Sequence, residues 1–349
     1  MIVITIAAVV SFGVTLVLTP IAIRVLRARS VGQFIQEEVA GHMHKRGTPT
    51  MGGIVMILGV TAGWLVAHVD ARTPDGAWDL SFRDFQMEGF LVMLAFVGMG
   101  VIGLVDDSLK VVRERNLGLS KRWKFAGQLL IAGLFAWGAA VADVTTELSF
   151  TRPLGLDLGW LYVVLVLVML TGTANGVNFA DGLDGLASGT GAAVFGSFVI
   201  ISFWQFRHPD FYGVEGALDL AIMASALAAA TLAFLWWNGA PARIMMGDVG
   251  SQALGGAMAA LALLSNTHLL LLILGGLYVA ETLSVIIQVV AFRGWGRRVF
   301  RMAPFHHHFE LKGWPETTVI IRLWIVGILA AAMALGLFYG DFITSGGVD

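Results

Sequence analysis

The segment GFLVMLAFVGMGVIGLVDDSLK (Gly89–Lys110) determines the class of fold. Its first seventeen residues carry no charge, and Asp106 and Asp107 end the run side by side. A bilayer core is crossed by roughly 20 mostly apolar residues in a helix. Charged side chains are costly beside hydrocarbon, so a carboxylate pair at this place is either a solvated helix end or a functional site.

The composition indicates that the whole chain, and not this segment alone, is a membrane protein. Of its 349 residues 57% are hydrophobic and 13% are charged, and the mean hydropathy is +0.80. About 25% of the residues in a typical soluble domain are charged, so the sequence predicts an all-α polytopic integral membrane protein. The absence of cysteine excludes disulfides, thiolate metal sites and a cysteine nucleophile. A net charge of −2 gives no sign of a nucleic-acid partner.

The hydropathy pattern predicts about ten transmembrane helices in a single domain that spans residues 1–349. The N-terminal run is too long for a cleaved signal and is interpreted as a retained first helix. The ninth span contains Gly275, Gly276 and Glu281, which predict a break or a strong tilt. The predicted spans are 2–23, 51–69, 88–105, 125–142, 160–175, 186–204, 218–236, 249–265, 268–292 and 317–340.

Basic residues indicate the orientation. The segments 24–50, 106–124, 238–248 and 293–322 hold eighteen of the twenty-two Lys and Arg residues. By the positive-inside rule these segments are cytoplasmic, which places both termini on the periplasmic or extracellular side. The cytoplasmic loops are then about 24–50, 106–124, 175–187, 238–250 and 293–316.

The unusual polar residues fall on these five cytoplasmic loops. Their sequences are HMHKRGTPTMGG (His42–Gly53), the Asp106–Asp107 pair with Lys110 and Lys124, NGVNFADGLDGLA (Asn175–Ala187), WNGAPARIMMGDVGS (Trp237–Ser251) and MAPFHHHFELKGW (Met302–Trp314). The sequence therefore predicts that the active site lies on the cytoplasmic face.

Each cluster taken alone also fits a purely structural role. The Asp106–Asp107 pair fits a helix cap, Asp248 fits a turn, and the lysines follow from the positive-inside topology.

Two further motifs indicate the kind of ligand. DGLDG lacks the alternating oxygen ligands of a calcium loop. Asn175, Asn178, Asp181 and Asp184 recur every three residues, so on a helical turn they would share one face, which suits a nucleoside or sugar. Three consecutive histidines, His306–His308, do not suit a closed zinc site but suit phosphate oxygens.

Together the clusters predict a site for a substrate that carries a diphosphate. Carboxylates bind Mg²⁺, which bridges substrate phosphates. Lysine and histidine side chains neutralise the remaining phosphate charge.

These motifs resemble the phospho-N-acetylmuramoyl-pentapeptide transferase family, within the superfamily of polyprenyl-phosphate N-acetylhexosamine-1-phosphate transferases. The resemblance runs from about residue 42 to 316 and is carried by HMHKRGTPTMGG, DDSLK, NFADGLDGLA, GDVGS and MAPFHHHFELKGWPE. The last motif, together with PTMGG, separates this branch from relatives that transfer N-acetylglucosamine phosphate.

The resemblance implies one reaction in the bacterial inner (plasma) membrane. Phospho-MurNAc-pentapeptide would pass from UDP-MurNAc-pentapeptide to undecaprenyl phosphate, giving lipid I and UMP with Mg²⁺ as the cofactor. The resemblance also implies contact with membrane lipids and a homodimer, with ten helices and cytoplasmic chemistry.

The resemblance also assigns roles to residues at matching positions. Asp106, Asp107 and Asp248 would be the catalytic acids and metal ligands, with Asp248 as the main Mg²⁺ ligand. The remaining residues would bind substrate: Lys45, Thr50, Lys110, Lys124, Asn175, Asn178, Asp181, Asp184, Asn238, His306, His307 and His308. One position departs from the family pattern, because Met245 stands where an aromatic residue would stack on uracil.

Two mechanisms and three other classes of protein remain open on sequence grounds. The acceptor phosphate attacks the β-phosphate in a single displacement, or an aspartyl-phosphate forms first. The alternatives to this family are a GlcNAc-1-phosphate transferase, a structural scaffold and a membrane transporter. A transporter would place ionisable groups near the bilayer midplane, where Glu281 is the one candidate.

Overall fold

The computed structural model describes residues 1–29, 32, 47–70, 81–113 and 118–347. These residues form an all-α bundle with two small antiparallel sheets. The helices are α1 (Ile2–Ala28), α2 (Gly53–Ala67), α3 (Met87–Val112), α4 (Lys121–Val141), α5 (Leu161–Ala180), α6 (Leu186–Arg207), α7 (Pro209–Tyr212), α8 (Ala217–Asn238), α9 (Gly247–Leu264), α10 (Leu270–Leu274), α11 (Gly276–Trp295), α12 (Phe305–Glu310) and α13 (Glu316–Thr344).

Two strand pairs lie between helices. β1 (Val69–Asp70) pairs with β2 (Ser81–Phe82), and β3 (Glu147–Ser149) pairs with β4 (Pro153–Asp157) in a hairpin whose register places Glu147 opposite Asp157. The hairpin contacts the end of α13, since Thr151 and Arg152 bind the Asp341 carboxylate.

Eight of the helices in the described part of the chain are long and apolar enough to cross a bilayer. They are α1, α3, α4, α5, α6, α8, α11 and α13. The other two predicted spans correspond to α2, which has 15 residues, and α9, which has 18. The chain is therefore a polytopic membrane protein, and each of the ten predicted spans corresponds to helix.

Helix α9 lies at the centre of the bundle. All its residues from Val249 to Leu264 are buried, and glycines bring its neighbours close. A Cβ on Gly53 of α2 would collide with the backbone of Gly250, and a Cβ on Gly103 of α3 would collide with that of Asp248. Small residues allow this backbone approach between helices in a membrane. The close packing fixes the first turn of α9 against α2 and α3.

Several predicted boundaries are wrong by one or two turns. Helix α3 continues seven residues beyond Val105, so the Asp106–Asp107 pair lies inside a helix and not at its end. Helix α5 ends at Ala180, so Asn175 and Asn178 are helical whereas Asp181 and Asp184 lie in the loop that follows. The four residues consequently do not share one helical face. The break predicted in the ninth span is confirmed, because α10 ends at Leu274 and α11 begins at Gly276.

Candidate active site

Three carboxylates from two helices meet at one point. Asp106 and Asp107 lie in α3 and Asp248 lies in the first turn of α9, and each offers an oxygen within 4.8 Å of the others'. Both α3 aspartates are 4% exposed. Carboxylates held this close repel each other unless cations neutralise them.

Two lysines supply that neutralisation. Lys110 Nζ lies 2.7 Å from Asp106, 3.2 Å from Asp107 and 3.2 Å from Asp248. Lys124 Nζ, from the first turn of α4, lies 2.5 Å from Asp248 and 3.8 Å from Asp106. Three acids and two ammonium groups leave one formal negative charge, which suits a site that attracts a further cation.

Backbone amides hold the α3 aspartates in different places. Asp106 Oδ1 accepts a hydrogen bond from the Leu119 N–H at 2.8 Å. Asp107 Oδ2 accepts one from the Val249 N–H at 3.2 Å, in the first turn of α9. Gly247 lies between Asp107 and the Thr50 hydroxyl with φ of +70°, where a side chain would collide with both. The close approach and the positive φ both require glycine at this position.

Hydrogen-bonded amide side chains extend from the carboxylates into the interior of the bundle. Asn178 Nδ2 donates to Asp248 Oδ1 and to Ser251 Oγ, each at 2.8 Å. Further along, Gln128 donates to Gln252 at 2.7 Å and accepts from Asn175 at 3.2 Å. Sequence reasoning missed Gln128, Ser251 and Gln252. Their spacing was a usable signal, because Gln128 follows Lys124 by four residues and Gln252 follows Asp248 by four.

Two other predicted site residues brace the segment between α8 and α9. Asp184 Oδ2 accepts the Ala242 N–H at 2.8 Å. Asn238 is fully buried, donates to the Ile244 carbonyl at 3.0 Å and accepts from Ser188 at 2.7 Å. Glu316, which the sequence reasoning also missed, accepts the N–H of Asp184 at 3.1 Å. These contacts hold the loop that precedes Asp248. Substrate contact by Asp184 and by Asn238 stays a prediction.

The three histidines of α12 occupy three environments. His306 is fully buried and bonds Glu281 through Nδ1 at 3.0 Å. His307 Nδ1 lies 2.7 Å from Glu310 Oε2. His308 accepts the Arg301 N–H through Nδ1 at 3.0 Å. Partial burial and the charges of Lys312 and Arg301 lower the pKa of His308 below its usual value, which favours the neutral ring.

The motifs also single out Lys45, Asp181 and Met245. Lys45 lies outside the described residues. Asp181 immediately follows α5, next to the loop that carries Asp184. Met245 is 2% exposed and its sulfur lies 3.8 Å from Asn238 Nδ2, so its side chain faces the interior and not an open surface.

Comparison with known proteins identifies the family to which the chain is similar. Residues 89–266 match the model for glycosyl transferase family 4, and residues 45–57 match signature 1 of phospho-N-acetylmuramoyl-pentapeptide-transferase. The chain is 46% identical to the phospho-N-acetylmuramoyl-pentapeptide-transferase of Frankia casuarinae over 98% of each chain. It is 45% identical to that of Saccharopolyspora erythraea over 98% of each, and 43% identical to that of Mycobacterium tuberculosis over 99% of each.

The fold and the site thus define a polytopic membrane transferase of glycosyl transferase family 4. Because the similarity covers nearly the whole length of its relatives, the chain belongs to the phospho-N-acetylmuramoyl-pentapeptide-transferase family.

Proposed function

We propose that the protein transfers phospho-MurNAc-pentapeptide from UDP-MurNAc-pentapeptide to undecaprenyl phosphate, giving lipid I and UMP. The observation that carries this proposal is the cluster of Asp106, Asp107 and Asp248 with two lysines, in a chain of this family. Both substrates are phosphate anions, and phosphoryl transfer depends mainly on alignment and charge neutralisation.

The donor set fits Mg²⁺, which prefers carboxylate oxygens and keeps several waters. Asp248 would be its main ligand, with Asp106 and Asp107 beside it. Bound there, the ion would neutralise charge on the diphosphate and on the departing UMP. Asn178 would orient the Asp248 carboxylate through its 2.8 Å hydrogen bond, since groups that hold a metal ligand fix its direction.

The reaction is a single displacement in this proposal. An oxygen of the undecaprenyl phosphate forms a bond to the β-phosphorus while the bond from that phosphorus to the bridging oxygen breaks, and UMP leaves. The second pKa of a phosphomonoester is near 6, so the acceptor is mostly dianionic at neutral pH. Asp106 or Asp107 positions the acceptor or takes its residual proton, and the lysines bind its charge.

A cavity beside the helix break supports the placement of the lipid. About 400 Å³ of mainly apolar space lies between α5 and the α10–α11 break. Its walls include Thr173, Gly176, Met258, Tyr278, Thr282 and Ile286. A polyprenyl chain cannot leave the bilayer cheaply, since each buried CH₂ is worth ~0.8 kcal/mol. The acceptor therefore enters from the membrane along this cavity.

We also propose a location and an assembly for the enzyme. It resides in the bacterial inner membrane as a homodimer, with both termini outside and the carboxylates at the cytoplasmic face. The bias of the basic residues supports the orientation. The dimer rests on the family resemblance alone.

The test is an assay of UMP release by the full-length protein in detergent with undecaprenyl phosphate and Mg²⁺. We expect release from UDP-MurNAc-pentapeptide and not from UDP-GlcNAc. Asp248→Asn should lower kcat by about 10²-fold or more, because the site loses a charge that the reaction uses. Asp210→Asn, an exposed acid in α7, is the matched control and should keep full activity.

Two outcomes would contradict this proposal. Activity with UDP-GlcNAc alone would make the protein a GlcNAc-1-phosphate transferase. Stoichiometric UMP release without any lipid acceptor, or a trapped aspartyl-phosphate, would replace the single displacement with a two-step route.

A further inference from the structure

A buried acid–base pair outside the carboxylate cluster lies between α11 and α12. Glu281 and His306 are each 0% exposed, and His306 Nδ1 lies 3.0 Å from Glu281 Oε1. Burying a carboxylate inside an apolar helix is costly, and breaking such a pair by removal of one partner leaves the other uncompensated. Such ionisable residues in membrane helices are commonly functional.

The hydrogen bond determines how the imidazole is oriented. With Glu281 as a carboxylate, which can only accept, His306 Nδ1 donates the hydrogen bond to Oε1. The other nitrogen, Nε2, points toward the loop after α5, where a Cβ on Gly182 would lie 2.6 Å from it. Gly182 thus allows the ring to rest against the loop backbone between Asp181 and Asp184.

The same pair adjoins the proposed lipid cavity. Glu281 lies in the second turn of α11, after the break at Gly275. Its helical neighbours Tyr278 and Thr282 line the cavity between α5 and α11. Glu281 therefore connects the helix beside the acceptor cavity with the loop that carries Asp184.

We propose that Glu281 is a positioning residue for the transfer reaction. Through His306 it holds α12 against the Asp181–Asp184 loop, whose polar side chains are predicted to contact the nucleoside or sugar. It thereby fixes that loop relative to the proposed acceptor cavity. This inference rests on the proposed function. It assigns no direct contact with either substrate to Glu281, which is fully buried.

The test compares Glu281→Gln, Glu281→Leu and His306→Gln with the double variant Glu281→Leu/His306→Gln. Each full-length protein is measured for kcat and for KM of both substrates, for UMP affinity by calorimetry, and for its thermal midpoint in detergent. Ser284→Ala is the control, because Ser284 is buried in the same helix and its hydroxyl donates to the backbone carbonyl of Glu281, not to its side chain.

We expect Glu281→Leu to raise KM for the UDP-sugar and the Kd for UMP by about tenfold, as for loss of other supporting hydrogen bonds around a site. Glu281→Gln retains an acceptor for the Nδ1–H and should recover most of the affinity. The double variant should lose no more than the worse single variant, because the two side chains act as one unit. Ser284→Ala should match the wild type.

A purely structural role would give a different pattern. In that case Glu281→Leu would lower the thermal midpoint while kcat, KM and UMP affinity per folded molecule stayed at wild-type values. If the affinity loss in the double variant equals the sum of the losses in the two single variants, Glu281 and His306 do not act as one unit and the proposal is wrong. If Glu281→Leu does not fold, wild-type UMP affinity and KM in His306→Gln overturn the proposal. Absence of turnover in the wild type would refute the proposed function. The UMP affinities and the thermal midpoints of the single and double variants would still test the coupling between Glu281 and His306.

Discussion

Asp106 and Asp107 are adjacent in sequence but belong to different parts of the site. Asp106 is fixed by the Leu119 amide and by Lys110, which lies one turn later in α3. Asp107 is fixed by the Val249 amide at the start of α9. The two neighbours therefore join α3 to the segment before α4 and to α9 respectively, and a change at one is not equivalent to the same change at the other.

Asn178 is the residue whose role is most sharply defined by its contacts. Its side chain donates to Asp248 and Ser251, so Asn178→Ala leaves the Asp248 carboxylate without an orienting amide donor. If Asp248 binds Mg²⁺, this substitution should raise the Mg²⁺ concentration needed for half-maximal activity by about 10- to 100-fold. The measurement is UMP release as a function of Mg²⁺ at saturating substrates.

Asn175→Ala is the matched control for this prediction. Asn175 lies one turn earlier in α5 and bonds Gln128 and the Thr171 carbonyl, not Asp248. Its replacement should leave the Mg²⁺ dependence at the wild-type value. An unchanged Mg²⁺ dependence in Asn178→Ala would show that Asp248 does not need this donor.

At the scale of elements, helix α9 determines how the polar ends of its neighbours meet. Its glycines and alanines let α2, α3 and α5 approach until their backbones nearly touch. A Cβ on Gly255 would lie 2.5 Å from the Cα of Ala174 and 2.5 Å from the Thr173 carbonyl. Because the obstacle is backbone, the helices themselves would have to move apart.

Gly255→Ala should therefore destabilise the bundle by about 1–3 kcal/mol, as overpacking usually does. The check is the thermal midpoint in detergent, followed by activity per folded molecule. Gly133→Ala in α4 is the control, since a Cβ there meets no atom of the described residues within 4 Å. That change should be neutral or stabilising by up to about 1 kcal/mol, because alanine favours helix over glycine. Equal midpoints for the two variants would show that α5 and α9 tolerate separation.

The helices were predictable from sequence because an uncharged apolar run of about 20 residues is long enough to span the hydrocarbon core as a helix. The break at Gly275 and the acids Asp106, Asp107 and Asp248 also stood out, since each interrupts or borders such a run. Helix ends were less predictable, because α3 and α5 continue into polar sequence where hydropathy no longer marks them. The burial of His306 was not predictable, because its partner Glu281 is 25 residues away in a different helix.

At the scale of the whole molecule, the carboxylates lie near the start of α4 and the β3–β4 hairpin follows its other end. Helix α4 begins at Lys121, beside the carboxylates, and ends at Val141, shortly before β3. Helix α5 then runs back from Leu161 to Asn178, which binds Asp248. The distribution of basic residues predicts that the carboxylate end is cytoplasmic and that the hairpin lies outside.

This orientation is testable because the chain has no native cysteine. Leu154 in the hairpin and Val299 after α11 are each 55% exposed, so Leu154→Cys and Val299→Cys place one thiol near each proposed face. In intact spheroplasts a membrane-impermeant maleimide should label Leu154→Cys at once and Val299→Cys only after permeabilisation. The cysteine-free chain is the control for background labelling. The reverse pattern would place the carboxylates on the side away from a cytoplasmic nucleotide and would contradict the proposed entry of UDP-MurNAc-pentapeptide from the cytoplasm.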